Sequence, residues 1–330
     1  MKHLNLTHRP RRNRINHNIR EMLAETNISS QQLILPLFIA ENSTEKVEIK
    51  TMPGVYRHTV KSALAEIEMA MNLDVHSFAL FPAISELNKN RQATESINEN
   101  GFLPQLIKEI KKQFPECVLI SDLALDPFSS DGHDGFVQNG KIINDETVIR
   151  LGEMAALHAH CGADIVAPSD MMDGRVGHIR KSLDEKGFID TAIMAYTAKY
   201  ASSFYGPFRD ALDSAPKAGD KKTYQMDFRN TKEALRETLL DLEEGADFVM
   251  VKPALSYLDV IQSVKNISTV PVAAYNVSGE YAMIKAAAAA GMVSETAAMV
   301  ETLYSIKRAG ADVILTYFAI SMAQWLKQNR

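Results

Sequence analysis

A chain of 330 residues with 46% hydrophobic side chains has the apolar content of a globular protein, which excludes intrinsic disorder and collagen-like repeats. Its 36 lysines and arginines against 41 acids give a formal net charge of −5, so there is no general electrostatic case for binding nucleic acid. No apolar stretch is long enough to span a bilayer, and Cys117 and Cys161 border apolar runs, as small core residues do. A disulfide framework is therefore not expected, and a cytoplasmic, reducing location is.

Residues 1–20 hold Lys2, Arg9, Arg11, Arg12, Arg14 and Arg20 and no acid. The segment lacks the apolar core of a secretory signal; its composition suits a mitochondrial targeting peptide or a basic arm resting on an acidic neighbour. Ile15, Ile19 and Leu23 fall at helical spacing with Met22 beside them, which suggests a short ordered segment. The division expected is an arm over 1–30 that serves oligomerisation and a catalytic domain over 31–330.

From residue 33 onward, short apolar runs alternate with amphipathic stretches. The runs are LILPLFIA (33–40), SFALFP (77–82), CVLISDLAL (117–125), ADIVAPS (163–169), AKYASSFYGP (198–207), ADFVMVKP (246–253), VPVAAYNV (270–277) and ADVILTY (311–317). Most are continuous rather than alternating, as in parallel strands buried on both faces. Helical spacing fills 59–73, 146–160, 231–244 and 296–309, and KAAAAAG (285–291) reads as a tightly packed helix. The turn Gly-Ala-Asp introduces three of the strands, at 162–164, 245–247 and 310–312. Eight strands joined in this way predict an α/β fold, a (β/α)8 TIM barrel. An open doubly wound sheet is the alternative, but it lacks a GxGxxG turn after the first strand.

Barrel chemistry sits at the C-terminal ends of the strands. Polar residues cluster at that end of nearly every run: Asp122, Asp126, Asp131, His133 and Asp134 after the third, Ser169 and Asp170 after the fourth. Lys252 lies inside FVMVKPAL, with Phe248 and Met250 on the same side of the strand. Burial there lowers a lysine pKa and supplies a neutral amine for Schiff-base chemistry; pairing with a carboxylate is the plainer alternative. Lys199, in MAYTAKYASSFYG, is either a second such lysine on the neighbouring strand or a helix-end residue facing water. Two lysines on adjacent strands each make charging the other more costly. The stretch 204–225 holds Arg209, Lys217, Lys221 and Lys222; it reads as an active-site lid whose cations hold a carboxylate, or as a solvated loop. Asp122, Asp126 and Asp134 offer hard oxygen ligands of the kind magnesium takes, although similar sequence occurs in ordinary turns. Zinc motifs such as CxxC or HExxH are absent, and His158 and His160 do not share a helix face.

Taken together, MVKPALSYLD around Lys252, AKYASSFYGPFRDA around Lys199, SDMMDGRV at 169–176, NVSGEY at 276–281 and the aspartate segment 122–135 resemble the porphobilinogen synthase, or δ-aminolevulinic acid dehydratase, family over nearly the whole chain. The resemblance implies a lyase on a (β/α)8 barrel with an N-terminal arm, usually an octamer, which joins two 5-aminolevulinate molecules into porphobilinogen, an early step of tetrapyrrole and heme biosynthesis. It implies that Lys252 forms the imine with the substrate of the propionate side and Lys199 binds the one of the acetate side. Ser278 and Tyr317 would hold the first carboxylate, and Arg209, Lys221 and Gln225 the second, with Phe204, Tyr205 and Phe208 packed around both. Lys221 stands where many members have arginine, so a cation remains but the bidentate fork does not.

Zinc-dependent members carry three cysteines where this chain has Ala124, Asp126 and Asp134, which resembles the magnesium-responsive type. Zinc is not expected there, and whether any ion binds is open. The resemblance further implies an allosteric Mg2+ between subunits at Glu237. Neither nucleic acid nor membrane is an expected partner. Two alternatives remain: a class I aldolase, poorly served by the single glycine of YNVSGEY, and a non-catalytic barrel, for which two buried lysines are an unexplained cost.

Overall fold

The computed structural model describes residues 4, 6–212 and 216–329. Lys2 of the arm and positions 213–215 of the proposed lid lie outside the described residues.

Eight parallel strands close on themselves: β1 (Leu33–Ala40), β2 (Ser77–Ala83), β3 (Val118–Leu123), β4 (Ile165–Pro168), β5 (Ala192–Lys199), β6 (Phe248–Lys252), β7 (Val272–Asn276) and β8 (Val313–Thr316). Neighbours in sequence are neighbours in the sheet. The seam is β8 against β1, with Leu33 opposite Ile314 and Ile34 opposite Leu315. Helices between the strands cover the outer face and the strand side chains fill the interior, so the runs are apolar on both sides. The (β/α)8 expectation is met: six of the eight runs contain their strand, and the second falls short of its strand by Ala83 alone.

The fifth run is displaced. Its strand is Ala192–Lys199, not 198–207. Beyond Tyr200 the chain turns through a short 3-10 segment, Ser203–Tyr205, in which the Ser202 hydroxyl accepts the Phe204 N–H at 3.1 Å, and enters the Gly206–Leu212 helix with Pro207 in its first turn. The run 198–207 has the aromatic content of a strand, whereas the true strand, AIMAYTAK, is rich in Ala, which signals strands weakly. The alanine stretch also differs from expectation. The helix is Ser278–Ala289, and Ala286, Ala289 and Ala290 are exposed while Tyr281 and Ile284 face the core. A hairpin, Phe136–Gln138 with Lys141–Ile143, follows the aspartate segment. Its Asn139-Gly140 turn has both residues at positive φ, a tight-turn signal legible in the sequence but not used.

The three Gly-Ala-Asp turns share one geometry. Gly162, Gly245 and Gly310 all adopt positive φ, ending the preceding helix in the left-handed conformation that glycine allows. Each aspartate then reaches across to the strand before it: Asp164 accepts the Leu119 N–H at 2.7 Å, Asp247 that of Ile193 at 2.8 Å, and Asp312 that of Val272 at 2.7 Å. At Gly310 a Cβ would stand 2.8 Å from the Lys265 side chain, so the turn needs glycine for space as well.

The arm folds only locally. His17–Met22 is helical, capped by Asn16, while Ile15 and Met22 are 74% and 75% exposed. Leu23 is exposed as well, and Ile19 is half-buried. Among the described residues no helix is long and apolar enough to cross a membrane.

Candidate active site

Lys199 and Lys252 end adjacent strands and are register partners, each 6% exposed. Between Val249 and Val251 of β6 the partner strand advances from Ala195 to Ala198. Strand β5 therefore carries one extra residue, a bulge. That bulge explains how Tyr196 and Lys199, three apart, both reach the barrel mouth; strict alternation puts them on opposite faces. Sequence reasoning missed Tyr196 for this reason.

The two amines have different surroundings. Lys252 Nζ sits among ring faces, 4.5 Å from the Tyr275 centroid, 4.9 Å from Phe208, 5.1 Å from Tyr196 and 5.2 Å from Tyr205. Burial and then the neighbouring Lys199 charge bring its pKa down to about 7. The Asp122, Asp134 and Asp126 carboxylates oppose this but do not outweigh it. Lys199 instead donates to Asp134 Oδ2 at 2.9 Å and to the Ser169 carbonyl. It is a strand-end residue in an ion pair, not a helix end in water.

The acids divide into three settings. Asp122 accepts the Ser169 hydroxyl at 3.0 Å, and burial raises its carboxyl to about 7 against the pull of Lys199 and Lys252. Asp134 is buried too, yet the Lys199 and Lys221 ammoniums hold it below the usual carboxylate range. Asp126 meets Lys221 Nζ at 3.1 Å, and the same Nζ also bonds Asp134. The Lys221 ammonium therefore lies between the two carboxylates expected to be ligands, and the third position, Ala124, is a buried apolar side chain. This donor set does not fit an active-site metal.

Asp170 is elsewhere. It is fully buried against Arg175, with Nε 3.8 Å from Oδ2, and does not line the cavity. Burial raises its pKa to about 6, opposed by Arg175.

Arg209, Lys221, Gln225, Tyr205 and Phe208 join the lysines, Asp122, Asp126 and Ser169 around one cavity. Gln225 is buried with its Oε1 unpartnered, and Arg209 is half-buried with no ion pair among the described residues. Residues 221 and 225 are thus part of the site and not of a solvated loop. His133 fastens this segment: one ring nitrogen lies 3.1 Å from the Tyr224 hydroxyl and the other 2.9 Å from the Ala218 carbonyl.

Three expected contacts lie off the cavity wall. The Ser278 hydroxyl accepts the Phe208 N–H at 3.0 Å and donates to the Phe204 carbonyl at 3.2 Å. Tyr317 bonds the Tyr275 hydroxyl at 2.9 Å. Phe204 lines an outer groove with Phe228; its backbone presses on Gly279, where a Cβ would stand 2.6 Å from its carbonyl oxygen.

Glu237 stands on the Lys232–Glu243 helix before β6, half-buried in a wide groove with Glu233 and Asp173. Burial raises its pKa, Arg175 opposes, and Asp241, Asp173 and Glu233 add to the rise. Among the described residues no three metal-ligating side chains converge, so an ion there would have to keep much of its water shell, as Mg2+ does.

Residues 7–325 match the family model described as delta-aminolevulinic acid dehydratase. A chloroplastic delta-aminolevulinic acid dehydratase of Physcomitrium patens is 54% identical over 98% of this chain and 75% of its own length. The corresponding protein of Bradyrhizobium diazoefficiens is 51% identical over 98% of this chain and 92% of its own. Among solved structures, the Toxoplasma gondii enzyme in complex with its reaction product porphobilinogen superposes with a TM-score of 0.97 at 49% identity, over 99% of this chain and 94% of that one.

Proposed function

The chain belongs to the delta-aminolevulinic acid dehydratase family, and from that membership we propose the residues through which it works. Its reaction is that of a lyase: two 5-aminolevulinate molecules condense to porphobilinogen with loss of two waters, through lysine Schiff bases, early in tetrapyrrole biosynthesis.

In our reading Lys252 forms the first imine. The observation that carries this is its ring-walled amine, whose pKa near 7 leaves much of it neutral and nucleophilic at neutral pH. Its nitrogen attacks the substrate ketone, and the carbinolamine must then lose water. Asp122, with a carboxyl near 7, is suited to pass the proton that this loss needs. Lys199 acts second, because its ammonium must leave Asp134 and lose a proton before it can attack.

Arg209, with Gln225, is the better-placed holder of the second substrate's carboxylate. Lys221 joins them by exchanging a bond to Asp126 or Asp134. Ser278 and Tyr317 reach the first carboxylate only by exchanging their present hydrogen bonds. The cavity's free volume is about 30 Å3, so Phe208, Arg209 and Lys221 must move outward to admit substrate.

The magnesium-responsive type is part of the same proposal. Glu237 would hold a largely hydrated Mg2+ with Asp173 and Glu233 nearby; such an ion supplies positive charge between those carboxylates. Self-assembly is proposed from the exposed apolar residues of the arm, its octameric size from the family resemblance alone, and a cytoplasmic location from two buried free cysteines, as a reducing compartment allows. Borohydride reduction with 5-aminolevulinate, followed by peptide mapping, tests the central assignment. Adducts on the peptides holding 252 and 199 are expected; labelling of neither peptide overturns it.

A further inference from the structure

Glu280 is fully buried and has no ion-pair partner among the described residues. Its two oxygens accept the Leu255 N–H at 2.8 Å, the Asn276 side-chain amide at 3.0 Å and the Val277 N–H at 3.0 Å, with the Ser256 N–H as a fourth donor. Burial raises this carboxyl to about 7, and the four donors oppose the rise by favouring the ionised form that accepts from them.

The donors come from different strands. Leu255 and Ser256 follow β6, and Asn276 ends β7. Asn276 in turn accepts the Thr316 hydroxyl, at the end of β8, at 2.9 Å, and Thr316 accepts the Phe318 N–H at 3.1 Å. Asn276 and Thr316 are also fully buried. One polar chain thus ties three strand ends together just behind the reactive amine.

Each tied end carries part of the Lys252 surroundings. Strand β6 carries the lysine, β7 carries Tyr275, and β8 leads into Tyr317, which bonds the Tyr275 hydroxyl. The helix that Glu280 belongs to also fixes the remaining wall: Ser278 holds the backbone of Phe204 and Phe208, and the Tyr205 hydroxyl donates to the Lys252 carbonyl at 3.1 Å. Of the four rings around Nζ, Tyr196 is held independently, and Phe208 packs as well on Phe38 and Phe81, at 5.4 and 5.1 Å between centroids.

We propose that Glu280 is a positioning residue for this reaction: its buried carboxylate locks the ends of β6, β7 and β8 and so keeps the rings closed around the Lys252 amine. The inference rests on the reading of Lys252 as an imine-forming residue. Glutamine at 280 keeps the shape but offers a single acceptor oxygen and turns an NH2 toward N–H donors. One side of the clamp opens, water reaches Nζ, and hydration favours its charged form. Lys199, Asp122, Asp126 and Asp134, which face Lys252 from other elements, keep their charges; the negative charge lost at 280, which acts on Tyr205, works against the rise, so the expected shift is the net of hydration over that loss.

The test measures borohydride trapping of 5-aminolevulinate on the full chain against pH, with the Lys252 and Lys199 peptides quantified separately. For Glu280→Gln the pH midpoint of Lys252 labelling should rise by about one unit, a tenfold loss of trapping below the midpoint, while Lys199 labelling persists. Thr316→Val removes only the outermost link, tests the same clamp if the glutamine variant does not fold, and should shift the midpoint in the same direction by less. Wild-type midpoints in the folded variants, or equal loss at both lysines without a shift, would overturn the inference. Absence of any Lys252 adduct in the wild type would overturn the reading of the site, and this inference with it.

Discussion

Lys199 and Lys252 are register partners on adjacent strands, yet one amine is held by a carboxylate and the other is walled by aromatic rings. Equivalent backbone positions thus supply two different reactivities. Lys252→Ala should lower turnover by roughly 10⁴-fold or more, in line with loss of a nucleophile elsewhere, and leave the circular dichroism spectrum unchanged. Lys199→Ala should also stop product formation but still give one trapped adduct, on the peptide with residue 252. Equal trapping in both variants would defeat the assignment.

Activity should rise with pH through about 7. Below the folded-state pKa of Lys252 the amine is protonated and inert; above it the neutral form dominates. Phe208→Ala removes one ring wall, admits water and should move this rise to higher pH. A pH–rate profile of kcat/KM for both proteins checks the direction, and an unmoved profile in the variant would contradict the role given to burial.

Chelation should separate the metals. Lys221 lies between Asp126 and Asp134, so activity is expected to survive phenanthroline. Added Mg2+ should raise activity and shift the protein toward a larger assembly. Glu237→Ala should remove that response while Lys252 trapping continues. Inactivation by phenanthroline with rescue by zinc alone would reverse this reading.

Removal of residues 1–20 should leave a folded barrel of smaller assembly, with a raised KM because assembly is proposed to order the segment that carries Arg209 and Lys221. The arm's five described arginines are exposed, as is Ile15. Light scattering after size exclusion, run beside steady-state kinetics, decides; unchanged size and kinetics would make the arm a passive tail.

Acid should destabilise the fold through buried histidines. Burial lowers His158 to about 4, where its Nδ1 meets the Ser121 hydroxyl at 2.9 Å, and burial with the Lys46 charge does the same to His58. Below the unfolded value near 6.5 the unfolded chain binds protons that the native one refuses, so stability falls as pH drops from about 6.5 to about 4. His158→Gln should flatten that slope in urea melts; an unaltered slope would show the loss to arise elsewhere.

The sequence made the barrel legible because its strands are continuous apolar runs and its turns repeat. Lys252 was legible for the same reason: a lysine amid FVMV has no solvent-facing side to occupy. Tyr196 was not, since the bulge that turns it inward depends on how β5 pairs with β6. The commitments of Ser278 and Tyr317 were hidden as well, because they depend on where Phe204, Phe208 and Tyr275 lie in space. Asp170 shows the converse limit. It follows Ser169 directly, but its carboxylate turns away to Arg175, and adjacency in the chain says nothing of which side of the strand end a residue serves.

The aspartates at 164, 247 and 312 bond across the rim opposite the lysines, each joining an even-numbered strand to the odd one before it. The first pair uses no such bond and relies on a seven-residue ladder between β1 and β2 instead. Viewed along its axis, the barrel is a ring of four strand pairs, three of which share one seam at the rim away from the lysines. Repetition lies at the rim away from the lysines, and the particular side chains lie at the rim that carries them. One rim is therefore interchangeable from pair to pair, and a change at the other alters a single, unrepeated contact.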